Sequence, residues 1–123
     1  MKGPHRIERL QELFREEISR MLVEGRIKDP RVGFVTITKV DVTRDLSFAT
    51  VYFSVMGSEE EKEETLQALE HASGYIQGQL GKGLRIRKIP RLRFKVDKNL
   101  EHSLRIGELL EKIRKGDLSL IHI

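Results

Sequence analysis

Apolar residues recur every three or four positions after Pro4, at Ile7, Leu10, Phe14, Ile18, Met21 and Leu22, with Arg and Glu filling the positions between. This spacing places them on one face of an α-helix, and Pro4 is a favoured first-turn residue, so an amphipathic helix is predicted from there to about Gly25. Residues 25–33 contain Asp29-Pro30 and read as a loop, because proline removes an amide donor and restrains the residue before it. The period then changes from 3.6 to 2. Residues 34–43 are rich in β-branched side chains, but the apolar set shifts from Val35 and Ile37 to Val40 and Val42, as a β-bulge near Thr38 would produce. After the short polar connection Thr43-Arg44-Asp45, a second strand is predicted from Leu46 to Met56. In it Ala49, Val51, Phe53 and Val55 alternate with Phe48, Thr50, Tyr52 and Ser54. The two runs form a hairpin.

Ser58 is placed to cap a helix whose first turns, residues 59–64, are rich in acids, where the helix dipole favours them. Leu66, Leu69 and Ala72, then Ile76 and Leu80, carry its apolar stripe, and Gly81-Lys82-Gly83 is the expected stop. Ala72-Ser73-Gly74 interrupts the stripe. An interior glycine costs about 1 kcal/mol relative to alanine, and serine can satisfy backbone groups in a non-helical geometry. Two helices joined by a kink are therefore expected, with Gly74 supplying a positive φ at the junction. Residues 90–97 alternate again, with Leu92, Phe94 and Val96 inward and Arg91, Arg93 and Lys95 on the other face. A last helix is expected over 99–115, with Leu100, Leu104, Leu109, Leu110 and Ile113 on one face. Residues 116–123 are a short, apolar tail.

The element order is helix, strand, strand, helix, kink, helix, strand, helix. A hairpin sets the first two strands antiparallel, and a helical crossover sets the third parallel to the second with its helices on one sheet face. The predicted fold is α+β, a three-stranded mixed sheet covered by helices on one face, with Arg91, Arg93 and Lys95 on the sheet near the kinked helix pair. With 123 residues there is room for one core, so residues 1–115 are expected to form a single domain.

Charge changes this picture at one place. Eight of the chain's 23 Lys and Arg residues lie between positions 82 and 98 (Lys82, Arg85, Arg87, Lys88, Arg91, Arg93, Lys95 and Lys98) beside only one of its 19 acids, so acids outnumber bases elsewhere. Like charges in cross-strand proximity repel unless a counter-charge lies over them, and a phosphate backbone is such a counter-charge. Two or three basic residues on a strand could serve only to discourage edge-to-edge pairing. Eight in one strip point to nucleic acid.

Other chemistry is sparsely represented. The chain has no cysteine, so it has neither disulfide framework nor thiolate metal site, and the four histidines (His5, His71, His102, His122) fall at no metal-ligand spacing. No metal or cofactor is expected. No nucleophile elbow, zinc-protease pair or nucleotide-binding loop occurs, so the chain is not read as an enzyme and no small-molecule substrate is expected. The apolar runs are too short for a signal peptide or a membrane span, which makes the cytoplasm the expected compartment. Aromatic residues are only 6% of the chain, so the stacking platform of a single-strand binder is thin. Phe48 and Tyr52 share a strand face, and packing is the favoured role for them over stacking on a base.

The runs Val35 to Leu46, Ala49-Thr50-Val51-Tyr52, Ala72-Ser73-Gly74-Tyr75-Ile76 and Pro90-Arg91-Leu92-Arg93-Phe94 together resemble the type II K-homology fold and, within it, the ribosome-binding factor A family. The resemblance covers residues 1–115, and the helix-kink motif Ala72, Ser73, Gly74 is its most specific element. It implies a factor for late maturation of the small (30S) ribosomal subunit, bound to the immature particle and its 16S ribosomal RNA, with a role in growth at low temperature. A monomer is expected off the ribosome. Most K-homology domains grip nucleic acid with a Gly-x-x-Gly loop between paired helices. Here Gly78-Gln79-Leu80-Gly81 lies too close to Pro90 for a second helix to follow, and Gly81 is read as a helix stop. RNA contact is therefore expected to lean on the basic strip. A DNA-binding architectural protein and a module for an acidic protein partner are the alternatives that the charge alone leaves open.

Overall fold

In the computed structural model, residues 5–32 and 34–98 are described. They form α1 (Arg6–Val23), β1 (Val35–Val42), β2 (Phe48–Val55), α2 (Glu59–His71), α3 (Ser73–Leu84) and β3 (Arg91–Val96). The helix expected over 99–115, the tail 116–123, His102 and His122 lie outside the described residues. The strands form one sheet in the order β1-β2-β3, with β1 antiparallel and β3 parallel to β2. That is the mixed topology expected from a hairpin followed by a helical crossover.

The apolar periodicities meet in one core. Leu10, Phe14, Ile18 and Met21 of α1 are buried against Ile37, Val40 and Val42 of β1, Ala49, Val51, Phe53 and Val55 of β2, Leu92 and Phe94 of β3, and Leu69, Ile76 and Leu80 of the helix pair. Burying a side chain such as Phe14 or Ile18 contributes about 1.5–3 kcal/mol. All three helices lie on this side of the sheet, α1 over β1, and α2 and α3 over β3. At the edge strand β1, the Gln11 side chain accepts the Val42 N–H at 2.9 Å, occupying a donor that would otherwise be open to another strand.

The bulge lies where the pattern places it. Pairing passes from Ile37 with Phe53 to Lys39 with Tyr52, leaving Thr38 as the extra residue. This change of phase allows both Ile37 and Val40 to face the core. Thr38 Oγ1 lies 2.6 Å from Asp97 Oδ2, to which it donates, and 3.3 Å from the Tyr52 carbonyl, so the bulge is tied across to the end of β3. The hairpin closes through Leu46 N–H to the Thr43 carbonyl at 2.9 Å. Leu46 adopts φ +61° there and turns its half-buried side chain toward the core.

Ser58 caps α2 as expected. Its Oγ accepts the Glu61 N–H at 3.2 Å, while the Glu61 carboxylate accepts the Ser58 N–H at 3.3 Å. This reciprocal capping box satisfies two donors that a helix start otherwise leaves open.

Two expectations about the helix pair need correction. The break falls at Ala72, with φ −84° and ψ −2°, as a kink should, but Gly74 is not its conformational hinge. Gly74 sits in the first turn of α3, has no positive φ, and a Cβ there would meet nothing within 4 Å. The second correction concerns the helix end, since α3 runs through Gly81-Lys82-Gly83 to Leu84. Arg85 makes the turn instead, at φ 53° and ψ 42°, and the Ile86 N–H reaches back to the Gly81 carbonyl at 3.3 Å. Buried Leu80 and half-buried Leu84 are four apart on the core-facing stripe, and their packing outweighs the weak helix propensity of the glycines. Gly78-Gln79-Leu80-Gly81 is consequently helix interior, not a phosphate-gripping loop.

Candidate nucleic-acid interface

All eight residues of the basic strip are exposed, and the fold divides them into two groups. Lys82 lies in the last turn of α3, Arg85 occupies the left-handed position that ends it, and Arg87 and Lys88 follow in the connection to β3. Arg91, Arg93 and Lys95 stand on β3, and Lys98 just after it.

The strand group is positioned by alternation. Leu92 and Phe94 are buried under the helices, which turns Arg91, Arg93 and Lys95 to the opposite, outer face. Parallel pairing sets Arg91 beside Phe48, Arg93 beside Thr50 and Lys95 beside Tyr52. Antiparallel pairing adds β1, setting Lys39 on the far side of Tyr52 and Asp41 on the far side of Thr50. The outer face thus carries the row Lys39, Tyr52, Lys95 and the row Asp41, Thr50, Arg93. The Arg93 guanidinium carbon is 3.8 Å from the centre of the Phe48 ring, and Lys39 Nζ is 4.6 Å from that of Tyr52. Both are cation–π distances. No helix among the described residues covers this face.

One member of the end group borders a different feature. Arg85 joins Arg6 at a cleft of about 340 Å³ whose walls are Leu10, Leu13, Leu46, Leu84 and Ile86. Nearby, the Asp45 carboxylate accepts from Thr43 Oγ1 at 2.8 Å and from the Ser47 N–H at 3.1 Å. Hydrogen bonds from Ser47 and Thr43, with the Lys88 charge behind them, hold its pKa down at about 2.

Among the described residues none of the eight cations makes an ion pair. Several arginines elsewhere are paired: Arg15 with Glu12, Arg20 with Glu17 at 2.9 Å, and Arg31 with Asp29 at 2.8 Å. Apart from Lys88, near the Asp45 carboxylate, the strip is thus a set of uncompensated charges, the electrostatic footprint of a polyanion site.

Two placements differ from expectation. The kink motif Ala72, Ser73, Gly74 belongs to the helical layer, whereas Arg91, Arg93 and Lys95 point away from that layer, so the sheet separates the motif from the strand group. Phe48 and Tyr52 are not core residues. They are half-buried on the outer face, beneath cations. Sequence reasoning also missed Lys39 and Arg6. The phase shift at Thr38 carries the signal for Lys39, because it turns that side chain to the same face as Tyr52, but Arg6 joins Arg85 only through tertiary packing. Of the histidines in the described part, His5 lies 3.8 Å from Glu8, and His71 Nδ1 lies 3.2 Å from the Arg31 guanidinium.

The family model described as "Ribosome-binding factor A" matches residues 6–110. The ribosome-binding factor A of Desulforamulus reducens is 45% identical over 118 residues, covering 96% of this chain and 98% of the relative. The crystal structure of ribosome-binding factor A from Thermus thermophilus superposes with a TM-score of 0.64 at 26% identity, covering 73% of this chain and 94% of that one. A homology model of the Thermus thermophilus factor, fitted into the cryo-EM map of its 30S complex, matches with a TM-score of 0.52 at 29% identity, over 68% of this chain and 90% of that one. The described fold is thus similar to a solved structure of this family, the sequence is similar to relatives over nearly their whole length, and the chain belongs to the ribosome-binding factor A family.

Proposed function

We propose that this chain is a ribosome assembly factor that binds the immature small ribosomal subunit and its 16S ribosomal RNA through the basic strip. Binding promotes late processing and maturation of that RNA, including at low temperature. The observation that carries this reading is the outer sheet face, which no described helix covers and where Arg91, Arg93 and Lys95 stand exposed and without ion pairs. The 30S complex of the Thermus thermophilus relative supports the choice of particle. The chain acts by binding alone, as a cytoplasmic monomer when off the ribosome, without catalysis or cofactor.

Three properties of the site suit structured RNA on a particle. Its cations are spread over a strand, a loop and a helix end, so they can follow a folded backbone. The glycine-rich grip of other K-homology domains is replaced by regular helix at Gly78 and Gly81. Each phosphate neutralised releases condensed counterions, so affinity should fall steeply with salt.

Sedimentation of the purified protein with small subunits, large subunits, free ribosomal RNA and duplex DNA tests the reading. Association with small subunits alone, lost on joint charge reversal of Arg87, Arg91 and Arg93, is expected. Binding of duplex DNA at least as tight as that of small subunits would replace the reading with a DNA-binding one.

A further inference from the structure

The outer sheet face holds two aromatic rings that the core does not use. Ala49, Val51, Phe53 and Val55 fill the inner face of β2, while Phe48 and Tyr52 point outward, each beneath a cation. We propose that this face, centred on Phe48, Tyr52 and Arg93, is a stacking platform for unpaired RNA bases, an inference that rests on the RNA-binding reading above.

Cation attraction alone can be served by lysine anywhere on a surface. Arg93 does more here, because its guanidinium carbon lies 3.8 Å from the centre of the Phe48 ring, and the planar group can extend the aromatic surface. A base can stack on that plane as it would on a ring. Tyr52 offers a second position four residues along the strand, roughly 13 Å away at the rise of an extended chain. That span is too long for two directly stacked neighbours, so the platform would take two bases with a nucleotide between them. Arg91 and Lys95, paired in register with Phe48 and Tyr52, lie where the connecting phosphates would run. Asp41, the acid in the central row, has Lys39 Nζ at 3.9 Å to offset it.

The choice of unpaired RNA follows from the shape of the face. In an A-form duplex the base faces are covered by their neighbours, and a flat sheet can reach only phosphates and sugars. Half-buried rings lying against the sheet gain nothing from a duplex but gain a stacking contact from each splayed base.

The test measures binding of a fluorescent single-stranded oligouridylate and of a hairpin duplex RNA, each across a salt series, with small-subunit sedimentation in parallel. Replacing both rings, Phe48→Leu with Tyr52→Leu, should weaken single-strand binding by on the order of tenfold or more while leaving the salt slope and duplex binding unchanged. Arg93→Lys keeps the charge and removes the plane, so it should weaken single-strand binding several-fold at the parental salt slope. Folded variants that bind the single strand as the parent does, or that lose single strand and duplex equally, overturn the platform and leave the basic-strip reading standing. A parent protein that fails to sediment with small subunits overturns that reading itself, and this inference with it.

Discussion

Replacing Arg91 and Lys95 together by Gln removes two exposed cations from the outer face and leaves the Arg93–Phe48 contact in place. Neither side chain has a polar partner among the described residues, so folding stability should move by less than about 0.5 kcal/mol. The effect on RNA binding should be large. For single strands, log affinity falls with log salt at about 0.7 per neutralised phosphate, so losing two contacts should make the slope shallower by about 1.4. At about 0.1 M salt each contact is then worth roughly 0.7 of a decade, and two together make about a 25-fold loss, or nearly 2 kcal/mol. Fluorescence anisotropy with a labelled single-stranded RNA from about 50 to 400 mM salt measures both quantities at once. Replacing Lys82 and Lys88 by Gln is the internal control. It should cost less, because Asp45 already offsets the Lys88 charge. A folded Arg91/Lys95 double variant with the parental slope and an affinity within about threefold of the parent would refute the argument that these phosphate contacts are made by β3.

Three further outcomes follow from the fold. Ser58→Ala removes half of the capping box and should cost about 1 kcal/mol, lowering the melting temperature by roughly 4–6 °C in a thermal scan. Gly74→Ala should be neutral or stabilising by up to about 1 kcal/mol in urea unfolding, since its φ is ordinary and a Cβ there meets open space; a loss above about 1 kcal/mol would mean that the junction needs glycine after all. Asp29, held at a pKa of about 2 chiefly by hydrogen bonds from Arg31, and Asp45, also at about 2, are both depressed from 3.8. The ionised forms therefore favour the folded state, and their contribution is complete above about pH 4 and lost as pH falls toward about 2. Urea midpoints for the Asp29→Asn, Asp45→Asn double variant should accordingly change less over that window than those of the parent.

Much of this protein can be read along the chain because the determining forces are local. The spacing of Leu10, Phe14, Ile18 and Met21 specifies a helix face, the phase shift around Thr38 specifies a bulge, and Ser58 followed by Glu61 specifies a helix start. The alternation from Pro90 to Val96 likewise specifies which residues of β3 share a face. Each depends on a backbone period or on hydrogen bonds within a few residues. Density of charge between Lys82 and Lys98 is also a property of sequence, and it pointed to a polyanion before any contact was known. Features that depend on distant residues were decided by packing. Two glycines and a lysine at 81–83 could not show that α3 would continue to Leu84, because it is the core beneath Leu80 and Leu84 that holds the helix against its own propensity. Gly74, in the same way, has the composition of a hinge but an ordinary helical backbone. The sheet also decided the character of the candidate site. Pairing β3 parallel to β2, with every described helix on the other side, set Arg93 over Phe48 and directed the strand cations away from the kink motif. No local period contains that information, because it arises only when strands 40 or so residues apart are brought into register by the burial of their opposite faces.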